Sequence, residues 1–249
     1  MTDAATVRVY ADKMAVGEAA AQRYVAAARE AIAQRGRFVV ALSGGSTPQI
    51  LFELLAGQPY VSQVDWARSH FFWGDERLVS PDDPGSNYYD AMRILLQQVY
   101  TPQVNIHRVR GEWEAEAAAR DYAQQLSAAG GPDRAWPVFD LVLMGLGGDG
   151  HTASLFPGQQ EEALLQPVMS VEASYEDRPA QRVTLTPMVF NDARHVLFLV
   201  TGGDKAEAVA ATLQGPRDAT RWPAQRIAPA EGQVTWLLDK AAAADLVLG

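Results

Sequence analysis

Short apolar runs alternate along the chain with longer segments in which apolar and polar residues recur at helical spacing. The apolar runs have the length of buried strands; they cover 37–45, 70–76 and 194–200, and others begin at Phe139 and Val234. Helices are predicted at 12–35, 46–56, 86–99 and 112–128, within 201–215 and at the end of 234–246. Strands that alternate with helices favour a mostly parallel sheet with helices on both faces. We therefore predict an α/β fold with a doubly wound, Rossmann-like sheet, formed as one domain over residues 1–249.

Four of the predicted strands end in loops that are rich in glycine, hydroxyl or charged residues. These loops cover 43–47, 75–77, 147–151 and 201–205. Ligands of open α/β sheets bind beyond the carboxyl ends of the strands. We therefore expect the four loops to converge on one site at that edge of the sheet.

The first loop consists of small residues at the start of a predicted helix: Ser43, Gly44, Gly45, Ser46 and Thr47. Backbone N–H groups at a helix N-terminus bind phosphate, and this composition suits such a site. A tight turn followed by a Ser or Thr cap would have the same composition. The sequence leaves both interpretations open. It does exclude a Walker A loop, because no lysine follows the glycines.

Two cations are candidate phosphate ligands. Lys205 stands at the start of a predicted helix, where the helix dipole disfavours a cation. An anionic ligand would provide the partner that makes a lysine favourable at this position. Arg182 lies in a short strand-like segment, QRVTLT. A solvated lysine and a surface arginine on an edge strand are the alternatives.

A charged triplet, Asp75, Glu76 and Arg77, directly follows an apolar strand. A surface turn would have this composition too. Its position at the carboxyl end of a strand, where loops carry binding and catalytic residues, favours a functional loop.

His151 is the strongest candidate for a catalytic base. It follows the glycine-rich loop GLGGDG, and Asp149 stands two positions before it. The ordinary pKa of an imidazole, about 6.5, suits proton transfer near neutral pH, and an aspartate can orient the ring. A histidine that caps or packs is the alternative. We predict structural roles for the other three histidines, which lack such surroundings: His70, His107 and His195.

The same loop fits the dinucleotide pattern G-x-G-x-x-G, but its context does not. Pro157 and Gly158 interrupt the chain only seven residues after Gly150, whereas a dinucleotide-binding turn opens a long helix. Histidine spacings typical of zinc sites are absent, and the chain has no cysteine. We therefore predict a site that uses neither a nucleotide cofactor nor a metal.

Charge and composition narrow the range of partners. The net charge of −9 argues against nonspecific binding to nucleic acid or to an anionic membrane surface. No apolar stretch has the roughly 18 residues that a membrane span needs, and the N-terminus lacks the pattern of a secretory signal. We expect a cytoplasmic monomer that acts on a small ligand.

Five segments of the chain, taken together, resemble the 6-phosphogluconolactonases: LSGGSTPQILFELL, FFWGDERLVSPDDPGSNYY, FDLVLMGLGGDGHTASLFPG, RVTLTPMVFNDARHVLFLVTGGDKAEAV and PAEGQVTWLLDKAAAADL. That family is similar in fold to the glucosamine-6-phosphate deaminases, and both bind a hexose 6-phosphate derivative without a catalytic metal. The deaminases read approximately D-G-H-I-A-F-N-E-P around the histidine, whereas this chain has Phe156 in place of their glutamate.

The resemblance implies hydrolysis of 6-phospho-D-glucono-1,5-lactone with His151 as the catalytic base, assisted by Asp149. It implies that Arg182 and Lys205 hold the 6-phosphate together with the first loop. The sugar end would be lined by the charged triplet and Gly148. Within the triplet, Arg77 is our choice for the donor to the lactone carbonyl, and Asp75 is a further catalytic candidate.

Two other functions remain as alternatives. A deaminase or isomerase of amino-sugar phosphates would use the same phosphate site, and ammonia release from glucosamine 6-phosphate would identify it. A noncatalytic sugar-phosphate sensor would bind its ligand without turnover, but the chain shows neither an appended helix-turn-helix nor a basic face.

Overall fold

The centre of the molecule is a six-stranded parallel sheet. The computed structural model describes residues 5–159, 165–173 and 179–247. The strands, in spatial order, are β1 (Thr6–Tyr10), β9 (Gln233–Asp239), β8 (His195–Val200), β5 (Leu141–Met144), β2 (Phe38–Leu42) and β3 (Ser69–Trp73). All neighbouring pairs are parallel. The predicted α/β fold class is confirmed, although the sequence pattern does not predict the edge strand β1.

Helices cover both faces of this sheet. The described residues include α1 (Lys13–Arg35), α2 (Ser46–Ala56), α3 (Asn87–Ala91), α4 (Ala115–Gly130), α5 (Pro187–Phe190) and α6 (Ala206–Leu213). Alternate side chains of β2 enter different cores: Val40 and Leu42 pack with α1 and α2, whereas Val39 and Ala41 pack with α4 and α6. Since strands buried on both faces are apolar throughout, β2 reads as a continuous hydrophobic run.

The ends of α1 follow the sequence signals closely. The side chain of Asp12 accepts a hydrogen bond from the backbone N–H of Ala15 at 3.0 Å, and Gly36 ends the helix with a left-handed backbone. None of the helices in the described ranges has the combination of length and apolar character that crossing a bilayer requires.

A second, antiparallel sheet lies beside the first. It consists of β4 (Asp75–Arg77), β7 (Gln181–Leu185) and β6 (Val168–Glu172), in that order. The predicted strand 70–76 is therefore two strands in two sheets. Gly74 makes the junction, because its N–H bonds to Leu42 in the large sheet and its carbonyl accepts from Leu185 in the small one.

Two helix predictions need correction. The segment 86–99 forms only α3 followed by a π-helical turn, Met92–Leu96. The end of the chain forms β9 as predicted, but residues 240–245 form turns and no helix. The side chain of Asp239 accepts a hydrogen bond from the backbone N–H of Ala242. The run of four alanines after Lys240 is too short to nucleate a helix of its own.

Candidate functional site

A cleft of about 250 Å³ lies at the carboxyl ends of the parallel strands, where the four polar loops converge as predicted. This volume lies just below the roughly 300–1,000 Å³ of pockets for drug-sized ligands, and it suits a small metabolite. The candidate residues on its walls are Ser43, Gly44, Gly45, Ser46, Thr47, Asp75, Arg77, His151, Arg182 and Lys205.

The N-terminus of α2 forms one end of the cleft. Gly45 occupies the position before the helix with φ 108°, and no side chain caps the helix there. Of the two interpretations left open by the sequence, the Ser or Thr cap is therefore wrong, because Ser46 is already the first helical residue. Thr47 bonds to Thr201 at 2.8 Å between their hydroxyl oxygens, which joins the first loop to the loop after β8. At an uncapped helix start the first backbone N–H groups lack partners within the helix, and they favour the binding of an anion.

Two arginines stand opposite each other on adjacent strands of the small sheet. Arg77 of β4 is the cross-strand partner of Arg182 of β7, and both line the cleft. Like charges placed opposite each other on adjacent strands are unfavourable by themselves. Arg182 is 2% exposed and lies in the middle strand, so it is not the surface arginine of an edge strand. The pair makes this wall of the cleft suitable for an anionic ligand.

Asp75 is held rigidly beside these cations. Its Oδ2 accepts a hydrogen bond from Oγ of Ser154 at 2.6 Å and lies 3.9 Å from Nη1 of Arg182. The side chain of Asn87 donates to the backbone carbonyl of Asp75 at 2.9 Å. Arg77 is fixed as well, because its Nη1 donates to the carbonyl of Gly85 at 2.7 Å.

The imidazole of His151 faces the cleft and is oriented by Asp149. Nδ1 of the ring and the backbone N–H of His151 both bond to Oδ1 of Asp149, at 2.6 and 3.1 Å. The ring packs directly on Gly147, where a β-carbon would lie 2.0 Å from Nδ1. Since a carboxylate only accepts, Nδ1 carries the proton and Nε2 of the neutral ring keeps its lone pair.

Lys205 reaches the cleft from the start of α6. Its Nζ lies 2.9 Å from a carboxylate oxygen of Asp204, and this hydrogen bond lowers the pKa of Asp204. A short 3-10 turn, Gly203–Lys205, leads into the helix. The turn thereby places a cation on the wall of the cleft that the first loop also lines.

Comparison with known proteins identifies the family. The family model described as glucosamine-6-phosphate isomerases/6-phosphogluconolactonase matches residues 11–236. The chain is 39% identical over 207 residues to 6-phosphogluconolactonase of Aggregatibacter actinomycetemcomitans, covering 82% of this chain and 85% of that one. It is 38% identical over 247 residues to 6-phosphogluconolactonase of Nostoc sp., covering 97% and 98%. The chain belongs to this family.

A solved structure of the family has the same fold. It is 6-phosphogluconolactonase from Trypanosoma cruzi, which matches with a TM-score of 0.87 at 29% identity and covers 100% of this chain and 99% of its own. The resemblance that the five sequence segments indicate is therefore confirmed at the level of the whole fold.

Glu76 and Gly148, predicted at the sugar end, do not line this cleft. Side chains alternate along a strand, so Glu76 points away from the face that carries Asp75 and Arg77. Its carboxylate accepts from the backbone N–H groups of Arg77, Asn87 and Tyr88 and from the Ser86 hydroxyl. Burial raises the pKa of Glu76 to about 7. Gly148 packs instead against the backbone of Asp204, where a β-carbon would lie 2.9 Å from the carbonyl oxygen.

The remaining histidines lie outside the cleft. His70 and His195 stand at the amino ends of β3 and β8, the opposite edge of the sheet. His70 bonds to His107 at 3.3 Å, and His107 stacks on Phe72 with ring centroids 4.2 Å apart. Burial lowers the pKa of all three, that of His107 to about 4. Within the described ranges, no three His, Asp or Glu side chains come together as metal ligands would.

Asn87 is a polar residue of the cleft that sequence reasoning misses. It is 3% exposed and lines the wall between Asp75 and the first loop. The segment SNYY predicts a helix start, and Ser86 does cap α3 by accepting from the N–H of Tyr89. Nothing in that local pattern shows that the next side chain reaches across to β4.

Proposed function

We propose that the protein hydrolyses 6-phospho-D-glucono-1,5-lactone to 6-phospho-D-gluconate. The names of the closely similar relatives support this activity within the family. The observation that carries the proposal is that one imidazole, two guanidinium groups and one ammonium group face the same cleft: His151, Arg77, Arg182 and Lys205.

The phosphate end is proposed to be the uncapped start of α2, with Arg182 and Lys205. Backbone N–H groups, a planar guanidinium and an ammonium are complementary to the phosphate oxygens. The chain as a whole has a net charge of −9, but three cationic side chains line this cleft. The negative charge of the phosphate would balance these cations. A phosphate fixed at this end positions the sugar ring toward the histidine.

The lactone carbonyl is proposed to be attacked by water. Nε2 of His151 takes a proton from the water as its oxygen adds to C1, and Asp149 stabilises the imidazolium that forms. Arg77 or loop N–H groups stabilise the tetrahedral oxyanion. When the intermediate collapses, the bond between C1 and the ring oxygen breaks, and the imidazolium returns the proton to that oxygen. Base catalysis of this type contributes about 10²–10⁴ in rate, and oxyanion donors add about 10²–10³.

The family also contains glucosamine-6-phosphate isomerases, so the assay must separate the two activities. Phe156 favours the lactonase. Its ring lies 5.4 Å from the imidazole of His151 and 5.7 Å from the guanidinium carbon of Arg182, where the resemblance expects a glutamate in a deaminase. An apolar ring at this position cannot transfer a proton during ring opening.

The proposal is tested by supplying both substrates to the purified protein. Freshly prepared 6-phosphogluconolactone should release acid faster than its spontaneous hydrolysis, whereas glucosamine 6-phosphate should release no ammonia. Ammonia release would assign the alternative activity, and binding of 6-phosphogluconate with no turnover of either substrate would identify a sugar-phosphate sensor.

A further inference from the structure

The side chain of Asn87 has an orientation that its neighbours determine. Its Nδ2 lies 2.9 Å from the backbone carbonyl oxygen of Asp75 and 3.3 Å from Oδ1 of the same residue. Both of these atoms are acceptors, so the amide nitrogen must face Asp75. The amide oxygen consequently points in the other direction.

That oxygen lies beside Gly44, in the loop at the phosphate end. A β-carbon at position 44 would lie 1.8 Å from Oδ1 of Asn87, so only glycine leaves room for it. No N–H or O–H group among the residues that the structure describes donates to this oxygen, whereas the amide nitrogen faces Asp75. Although the residue as a whole is 3% exposed, Oδ1 is not sealed in the protein interior, so it can bond to a ligand in the cleft that Asn87 lines.

We propose that Oδ1 of Asn87 accepts a hydrogen bond from a ring hydroxyl of the substrate and so determines specificity for the sugar. This inference rests on the proposed lactonase function. The hydroxyl is the one on C3 or C4, because the oxygen lies against Gly44 and therefore near the half of the sugar that carries the phosphate. The hydroxyl on C2, next to the carbonyl, lies toward His151.

A different role for Asn87 would be to position Asp75 without touching substrate. Ser154 provides the matched control for that role. Its Oγ donates to Oδ2 of Asp75 at 2.6 Å, but Ser154 is fully buried and does not line the cleft. Ser154→Ala therefore removes a hydrogen bond from Asp75 and leaves the contact with the hydroxyl in place.

The experiment compares kcat/KM for the parent lactone with that for its 2-deoxy, 3-deoxy and 4-deoxy analogues. For the wild type, either the 3-deoxy or the 4-deoxy lactone should be about tenfold poorer than the parent, the effect of one hydrogen bond of about 1.4 kcal/mol. In Asn87→Ala this difference should fall below about twofold, while it should persist in Ser154→Ala. The 2-deoxy analogue should show no such dependence on Asn87.

A second variant separates the two halves of the amide. Asn87→Asp keeps an oxygen at Oδ1 but loses both donor bonds to Asp75, so it should retain the discrimination against the deoxy lactone while its kcat falls. Circular dichroism and thermal unfolding show whether each variant folds.

The proposal is overturned if Asn87→Ala and the wild type discriminate equally against all three deoxy lactones, since Asn87 then acts only through Asp75. That outcome is distinct from failure of the proposed function, in which the wild type would not hydrolyse the parent lactone at all.

Discussion

At the scale of single residues, the site depends on how one imidazole is oriented. Ring Nδ1 of His151 bonds to Oδ1 of Asp149, which the backbone N–H of His151 also holds, and Gly147 leaves the space that the ring fills. The arrangement assigns the proton of the neutral ring to Nδ1 and leaves Nε2 as the atom proposed to act as the base. A base held in this way needs no reorientation when the substrate binds.

Gly147→Ala tests whether this orientation matters. The new methyl group would lie 2.0 Å from Nδ1, so the ring must leave its position. We expect kcat to fall by about 10²-fold or more, which is the lower range for loss of a positioned base. Steady-state kinetics and thermal unfolding check this prediction.

Gly57→Ala is the matched control for that substitution. It lies at the end of α2, where a β-carbon would make only ordinary contacts at 3.7 Å. Its kcat should equal that of the wild type. Unchanged turnover in Gly147→Ala would show that the observed position of the ring is not required for catalysis.

At the scale of elements, a buried carboxylate ties β4 to α3. Glu76 accepts hydrogen bonds from the backbone at Asn87 and Tyr88, ten or more residues along the chain. The intervening loop carries Gly85, whose carbonyl anchors Arg77. Two cleft residues, Arg77 and Asn87, therefore depend on a side chain that does not line the cleft.

Glu76→Gln tests this connection through pH. Burial raises the pKa of Glu76 from 4.5 to about 7, so the folded state binds the proton more tightly than the unfolded state does. The contribution of this group is fully present below pH 4.5 and is lost as the pH rises through 7. The free energy of unfolding of the wild type, relative to the variant, should fall by up to about 3 kcal/mol across this window.

Urea unfolding at several pH values between 4.5 and 7.5 measures that difference. The amide nitrogen that Glu76→Gln introduces would also oppose backbone donors, so kcat/KM should decrease at every pH. If the wild type instead gains stability over the variant as the pH rises, the hydrogen bonds to the ionised carboxylate outweigh its burial.

Local sequence patterns predict those helices and strands whose formation depends on residues close in sequence. The helix α1 follows from its alanine-rich, helix-forming composition with Gly36 just past its end, α2 from apolar positions at helical spacing, and the strand β2 from its continuous apolar run. The division of 70–76 into two strands could not be predicted, because it depends on Gly74 bonding to two sheets at once. The strand β4 has only three residues, too few for an alternating pattern to be read from the sequence. The sequence therefore does not show that Glu76 faces away from the cleft while Asp75 and Arg77 face it.

At the scale of the whole molecule, an acidic chain concentrates cations in one cleft. Post-strand position indicates Lys205 as a candidate of the site, whereas Arg182 lies within a strand and only the family resemblance joins it to Lys205. The burial of Arg182 and the place of Asn87 in the cleft depend on contacts between distant segments, which local patterns do not show. The single domain over 1–249, the monomeric state and the cytoplasmic location stay predictions.

Lys205→Ala tests the phosphate end. Since the ammonium group is proposed to bind the phosphate equally in the ground state and the transition state, its loss should raise KM about tenfold and change kcat little. Inorganic phosphate should inhibit the wild type competitively and the variant more weakly. A change confined to kcat would place Lys205 at the reacting carbon instead.

The central claim is that His151 is the base acting on a lactone whose phosphate is bound elsewhere in the cleft. The most direct test measures two quantities for the wild type and His151→Ala: kcat for 6-phosphogluconolactone, corrected for spontaneous hydrolysis, and the calorimetric Kd for 6-phosphogluconate. We predict that kcat falls by about 10²–10⁴ while Kd changes less than about threefold. A variant that retains most of its turnover, or one that loses turnover only because it no longer binds the product, would contradict the account.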